Sequence, residues 1–259
     1  MLDHLSQPQR DRLAFIDLRL RMLGELKRQH LIERFEIQEA AASRDIALYK
    51  TLSSHNLVYD ASSRIYKASE DFESLFDSTA EQALIWVTKG LGDGEPRNTT
   101  PGITVDFPDQ LSWPKLDILA HVTQAIHQKC PLQIDYESLN GSSQRVIVPF
   151  SLIDNGLRWH VRGFDRKSGE FRDFVITRIR KASPLPDDPV AVHETSDRDI
   201  QWTRIVELTL IPHPDQPRPE VTLMDYAMVD GMLSLKLRAA TAGYTLRKWS
   251  VDCSPDHSL

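Results

Sequence analysis

A chain of 259 residues, 41% hydrophobic and 26% charged, is long enough for two or three folded domains and too balanced for wholesale disorder. No apolar run approaches the roughly 20 residues of a bilayer span, and the first amphipathic stretch is studded with arginine, unlike a secretory leader. A cytoplasmic protein without membrane contact is therefore expected. The two cysteines, Cys130 and Cys253, exclude a disulfide scaffold and lack metal-ligand spacing, while within a net charge of −6 the stretch beyond residue 185 is acidic and residues 1–68 and 115–185 are mildly basic.

From Pro8 to Lys27, Leu13, Ile16, Leu20 and Leu23 recur at helical spacing between Arg10, Arg12, Arg19 and Arg21, which predicts an amphipathic helix. A short helix over Leu31–Phe35, a turn at Glu36-Ile37-Gln38 and an Ala-rich helix over Glu39–Leu52 follow. Strands at Asn56–Tyr59 and Arg64–Ala68 flank the turn-forming Asp60-Ala61-Ser62-Ser63. This is the order of a winged helix-turn-helix, assigned to residues 1–77.

A helical stretch near Asp71–Phe76 leads into a connector over residues 78–114, where Gly90-Leu91-Gly92-Asp93-Gly94-Glu95-Pro96 and the prolines at 96, 101, 108 and 114 oppose long regular elements. Pro114–Gln128 is helical. The strand-like runs Leu132–Tyr136, Arg145–Pro149, Leu157–Phe164 and Phe171–Ile176, separated by Gly-containing turns, predict a small antiparallel sheet or barrel within residues 115–185. Pro184–Pro189 reads as a linker. Strands at Val206–Ile211 and Leu233–Leu237 and a helix over Ala239–Trp249 then form a C-terminal α+β extension, residues 190–259. The fold class is α+β, multidomain.

The third helix of a helix-turn-helix packs small apolar residues inward and offers its outer face to DNA. Here Ile37 would plug the turn, and Ala42, Ile46 and Tyr49 share the inner face. The outer face presents Gln38, Ala41, Ser43, Arg44 and Lys50, with Arg44 suited to a forked contact with guanine. Arg64 and Lys67 in the hairpin would meet phosphates, and Asn56 is a further candidate. Spacing alone equally fits a three-helix dimerisation module with a solvated Arg44. The segment SRDIALYKTL resembles the recognition helix of DeoR-like and WYL-associated winged helices, which favours DNA.

The segment from Pro131 to Leu185 resembles the WYL domain, a small Sm-like or SH3-like sheet. It has a strand ending in Tyr, an Arg-x-x-x-Pro run, a Gly-x-Trp-aromatic-aliphatic strand and a closing Arg-Ile. Trp159, His160 and Val161 stand where that family carries Trp, Tyr and Leu. Strand periodicity puts Trp159 and Val161 on one face and His160 with Arg162 on the other. Tyr136, Arg145, Ser151, Arg172 and Arg178 from neighbouring strands would join them as a receptor for anions, phosphates above all. The competing reading pairs Arg172 and Arg178 with Asp165 and Asp173 as surface bridges and leaves His160 a bystander.

Across nearly its full length the chain resembles the WYL-domain regulators of the BREX and CBASS anti-phage systems. The resemblance implies a homodimer on an inverted-repeat operator in double-stranded DNA, repression, a nucleotide or nucleic-acid effector, and a C-terminal domain serving dimer contact or effector gating. No metal, cofactor or catalytic residue is expected, since zinc-protease, nucleophile-elbow, phosphate-loop and dinucleotide motifs are absent from the sequence. A second reading keeps the WYL domain as a nucleotide or single-stranded nucleic-acid module acting on a protein partner, with the winged helix used for dimerisation.

Overall fold

The computed structural model describes residues 4–89 and 112–254. The Gly-rich run at 90–96 and the prolines at 96, 101 and 108 lie outside them. Helix α1 (Gln7–Leu23) stops where the sequence offers Gly24, whose φ of 75° gives the left-handed cap and whose N–H reaches Leu20 O at 2.9 Å. The chain continues through β1 (Glu25–Leu26), α2 (Arg28–Phe35), α3 (Glu39–Leu52) and the hairpin β2 (Leu57–Asp60) and β3 (Ile65–Ala68). The three strands form one small sheet in the order β1-β3-β2. Leu13, Ile16, Leu20, Leu31, Ala42, Ile46 and Tyr49 are all buried, so the inward faces read from spacing are the core.

Residues 71–76 do not form the expected helix. The buried carboxylate of Asp17 accepts the N–H of Leu75 at 2.9 Å, and Asn56 Oδ1 accepts that of Glu73 at 3.0 Å. Side chains thus take the donors that a helix would have used. The helix comes later, as α4 (Ala80–Lys89), with Trp86 edge-on to Phe15 of α1 at 6.2 Å between ring centres. Residues 80–89 therefore pack with the N-terminal unit, although the sequence places them in the connector.

His30 gives this unit a pH dependence. Its Nδ1 accepts the Lys27 N–H at 3.0 Å, and burial, then the Arg19 and Lys27 charges, hold its pKa at about 4 against an ordinary 6.5. A base with a depressed folded pKa contributes stability above its unfolded value, and that stability is lost as pH falls toward the folded one. Urea midpoints are expected to fall between pH 6.5 and about 4, and His30→Gln, which keeps an acceptor at the helix start, to flatten that slope. An unchanged slope would refute the assignment.

Helix α5 (Leu116–Gln128) joins the two halves. One face buries Ile118, Leu119, Val122 and Ala125. Thr123 Oγ1 donates to Met22 O at 2.7 Å and Gln124 Nε2 to Arg21 O at 2.6 Å, satisfying carbonyls left open at the end of α1. Behind α5 lies a five-stranded antiparallel sheet made of β4 (Leu132–Ser138), β5 (Gly141–Asp154), β6 (Trp159–Asp165), β7 (Glu170–Val175) and β8 (Ile179–Pro184), in the order β7-β6-β5-β4-β8. Strand β5 runs well past the expected Arg145–Pro149, and β8 closes the sheet against β4.

A bulge interrupts β5 between Pro149 and Ser151, so its register with β6 shifts at Phe150. Beside it, Gly163 packs against backbone. A Cβ there would lie 2.6 Å from Val148 O and 2.9 Å from Pro149 Cα. Gly163→Ala is expected to cost at least the roughly 1–3 kcal/mol of core overpacking, read from chemical denaturation; a loss under about 0.5 kcal/mol would show that the strands yield freely.

The expected linker is a strap. Arg166 holds Glu194 at 2.6 Å, Asp188 at 2.8 Å and Pro189 O at 2.8 Å. Beyond it, α6 (Ile200–Thr203), β9 (Ile205–Leu210), α7 (Pro219–Asp225), β10 (Leu233–Arg238) and α8 (Ala239–Lys248) form the extension around an antiparallel β9–β10 pair. Among the described residues, no helix is long and apolar enough to cross a membrane.

Candidate DNA-reading face and effector site

Helix α3 stands on two polar anchors. Arg12 Nε of α1 donates to Asp45 Oδ2 at 2.6 Å, and Asp45 is buried. Deeper, Tyr49 donates to Asp17 Oδ1 at 2.5 Å, and Asn56 Nδ2 donates to Tyr49 Oη at 2.9 Å. Within the Ser43-Arg44-Asp45 triplet the aspartate therefore turns inward and fixes the helix while the arginine turns outward.

Gln38, Arg44 and Lys50 are exposed, and neither Arg44 nor Lys50 has a carboxylate partner among the described residues. Ala41 is half-buried. Ser43 is too, its Oγ donating back to Glu39 O at 2.8 Å. In the wing, Arg64 sits exposed at the left-handed turn with a φ of 57°. Lys67 pairs with Asp60 at 3.0 Å, and the Ser62 and Lys67 hydrogen bonds hold that carboxyl below its usual range. Asn56 does not belong to this face. It is fully buried, its amide spent on Tyr49 and on Glu73 O at 2.6 Å, and it pins the wing to the core.

The expected effector residues divide between the two faces of the sheet. Before the bulge, Arg145 faces α5 with Tyr136. Its guanidinium pairs with Asp165 at 2.5 Å and lies 6.0 Å over the Phe174 ring, while the Tyr136 hydroxyl accepts the Val175 N–H at 3.3 Å. Arg172, opposite Gly163, shares that parity and bonds Glu170 at 2.6 Å. After the bulge, Ser151 and Ile153 stand opposite Arg162 and His160 on the other face. Strand alternation puts Tyr136, Arg145 and Arg172 on the face opposite His160 and Arg162, and the one-residue insertion carries Ser151 across to the His160 side. They do not form one receptor. Arg178, half-buried in the turn before β8, has no carboxylate partner among the described residues.

The His160 face is covered. His160 and Arg162 are 6% and 5% exposed because the extension lies on them. Arg162 grips Asp199 with Nε and Nη2 at 2.6 and 3.1 Å and bonds Asp173 at 2.8 Å. Asp199 also caps α6, accepting the Gln201 and Trp202 N–H groups. The Tyr244 ring of α8 stacks on His160 at 5.3 Å and 25°, with its hydroxyl donating to Asp173 at 2.9 Å. Burial lowers the His160 pKa, opposed by the Asp173 charge, and its Nδ1 is buried without a hydrogen-bond partner among the described residues. Asp199 and Tyr244 escape a reading of the sheet alone, although an Asp ahead of Ile-Gln-Trp is a helix-cap signal.

A braced helix with an exposed outward arginine, a wing beside it, and a sheet covered by an extension are the arrangement of a DNA-binding regulator. Residues 8–89 match the winged helix-turn-helix domain of the BrxR transcriptional regulator, 117–184 the WYL domain, and 205–259 the BrxR C-terminal dimerization domain. The chain is 31% identical over 266 residues to the DNA-binding transcriptional repressor CapW of Escherichia coli (strain KTE188), covering 96% of this chain and 85% of that one. It is 32% identical over 255 residues to the CapW of Pseudomonas aeruginosa, covering 92% and 81%, and 32% over 259 residues to that of Stenotrophomonas maltophilia, covering 94% and 84%. The chain belongs to the BrxR and CapW family of WYL-domain transcriptional regulators.

Proposed function

We propose that this chain is a cytoplasmic, homodimeric transcriptional repressor, not an enzyme, that binds an inverted-repeat operator in double-stranded DNA. The outward Arg44, without a carboxylate partner among the described residues and on a helix fixed from behind by Arg12 and Asp45, carries the reading. Gln38, Ser43 and Lys50 flank it, and Arg64 and Lys67 would hold the backbone. Exposed Ile200, Ile205, Ile211, Met224 and Val229 all lie in the extension, which supports dimerisation there and leaves the winged helix to DNA. The units are residues 1–77 extended to take in α4, the remaining connector to 114, the WYL domain at 115–185, and the extension at 190–259.

A nucleotide or nucleic-acid effector is assigned to the face of Ser151, His160 and Arg162, with release of the operator as its consequence. The resemblance to regulators of anti-phage systems supports a defence operon as the target. The test is fluorescence anisotropy on a duplex from the upstream region of its own gene against a scrambled duplex at near-physiological salt. Preference for the native duplex with two chains bound is expected. Equal affinity for both duplexes would sink the repressor reading.

A further inference from the structure

Two groups of the extension meet the two sensor side chains in a way that copies the chemistry of a nucleotide. A flat aromatic ring, Tyr244, lies on the His160 imidazole, where a base would stack. A carboxylate, Asp199, fills the Arg162 fork, where phosphate oxygens would sit. We propose that Tyr244 and Asp199 occupy the effector subsite from within the chain, and that an effector made of an aromatic base joined to a phosphate binds by displacing them. This rests on the effector class assigned above.

Several features distinguish this contact from ordinary domain packing. Asp173, the other acid on Arg162, belongs to strand β7 and is held by the sheet. Asp199 and Tyr244 lie beyond the strap, on α6 and α8, which pack against each other. Asp199 has a second occupation capping α6, so its departure from Arg162 leaves no bare carboxylate. Tyr244 keeps its hydroxyl on Asp173, next to the guanidinium, so ring and carboxylate are joined into one constellation as base and phosphate are in a nucleotide.

Helix α8 lies within residues 205–259, the stretch that matches a dimerization domain. Displacing Tyr244 therefore acts on the part of the chain that sets the spacing of two winged helices. An effector that binds only the undocked form shifts the equilibrium by its differential affinity, and its apparent affinity is reduced by the docked fraction.

The experiment compares full-length wild type with Tyr244→Ala and Tyr244→Phe, using thymidine monophosphate and fluorescein-labelled single-stranded oligothymidylate as probes. Hydrogen exchange of residues 239–248 is followed in parallel. Tyr244→Ala is expected to bind a base-bearing probe on the order of tenfold more tightly, equivalent to about 1.4 kcal/mol. Tyr244→Phe, which keeps the ring, should fall between. Exchange in α8 should rise in Tyr244→Ala and in wild type with probe. The arm that binds tells a mononucleotide from a single strand. A probe bound equally, or more weakly, by Tyr244→Ala overturns the displacement while leaving the effector class standing. Failure of both probes on every form overturns the effector class and the displacement with it.

Discussion

Arg44→Ala is expected to weaken binding to the native operator by roughly tenfold to a hundredfold, the 1–3 kcal/mol of one forked arginine–guanine contact. The helix carrying it is already fixed by the buried Asp45 and its bond to Arg12 at 2.6 Å, so little ordering is needed when DNA arrives. Because Arg44 is exposed and has no carboxylate partner among the described residues, its removal should leave the melting temperature unchanged. The signature of base reading is selectivity. Arg44→Ala should lose preference at one base pair of each half-site, whereas Lys50→Ala or Arg64→Ala should weaken all duplexes alike and lower the salt slope by about one. A uniform loss in Arg44→Ala would reassign it to phosphate.

The helix over Glu39–Leu52 is legible to the residue because the inward side chains Ala42, Ile46 and Tyr49 carry its period and nothing competes for its backbone. The stretch 71–76 is misread as helix. The difference is tertiary, since Asp17 and Asn56 take its N–H groups from a distance in sequence that no local pattern records. The sensor divides in the same way. Period two correctly puts His160 and Arg162 on one face, but the single extra residue at Phe150 reverses the parity of β5, scattering Arg145 and Ser151 to opposite sides. Neither the bulge nor the cover by Tyr244 and Asp199 has a local signature, so an open face is expected where the structure has a covered one.

Asp17→Ala should destabilise the N-terminal unit by several kcal/mol, at about 1–3 kcal/mol for each buried donor left without an acceptor. Asp17 is 1% exposed and accepts from Tyr49 Oη and Ser74 Oγ at 2.5 Å each and from the Leu75 N–H at 2.9 Å. Alanine takes the acceptor from the Tyr49 hydroxyl and the Leu75 N–H, while Ser74 Oγ keeps Phe76 O at 3.0 Å, and unmet donors cost more than the bonds themselves are worth. Burial raises the Asp17 pKa against the pull of these donors, so its titration contributes stability that is full below pH 3.8, where the group is the neutral acid, and is lost as pH rises through the raised value. The benefit at neutral pH lies in satisfied donors, not in charge. Asp17→Asn, which keeps one acceptor oxygen, should therefore lose less than Asp17→Ala in urea titrations. Tyr49 belongs to α3, so the alanine variant should also lose operator selectivity, through a helix no longer held at its inner end. Equal losses in the two variants would make charge rather than donor satisfaction the basis of the network, and intact selectivity in Asp17→Ala would leave Arg12 and Asp45 sufficient to hold α3.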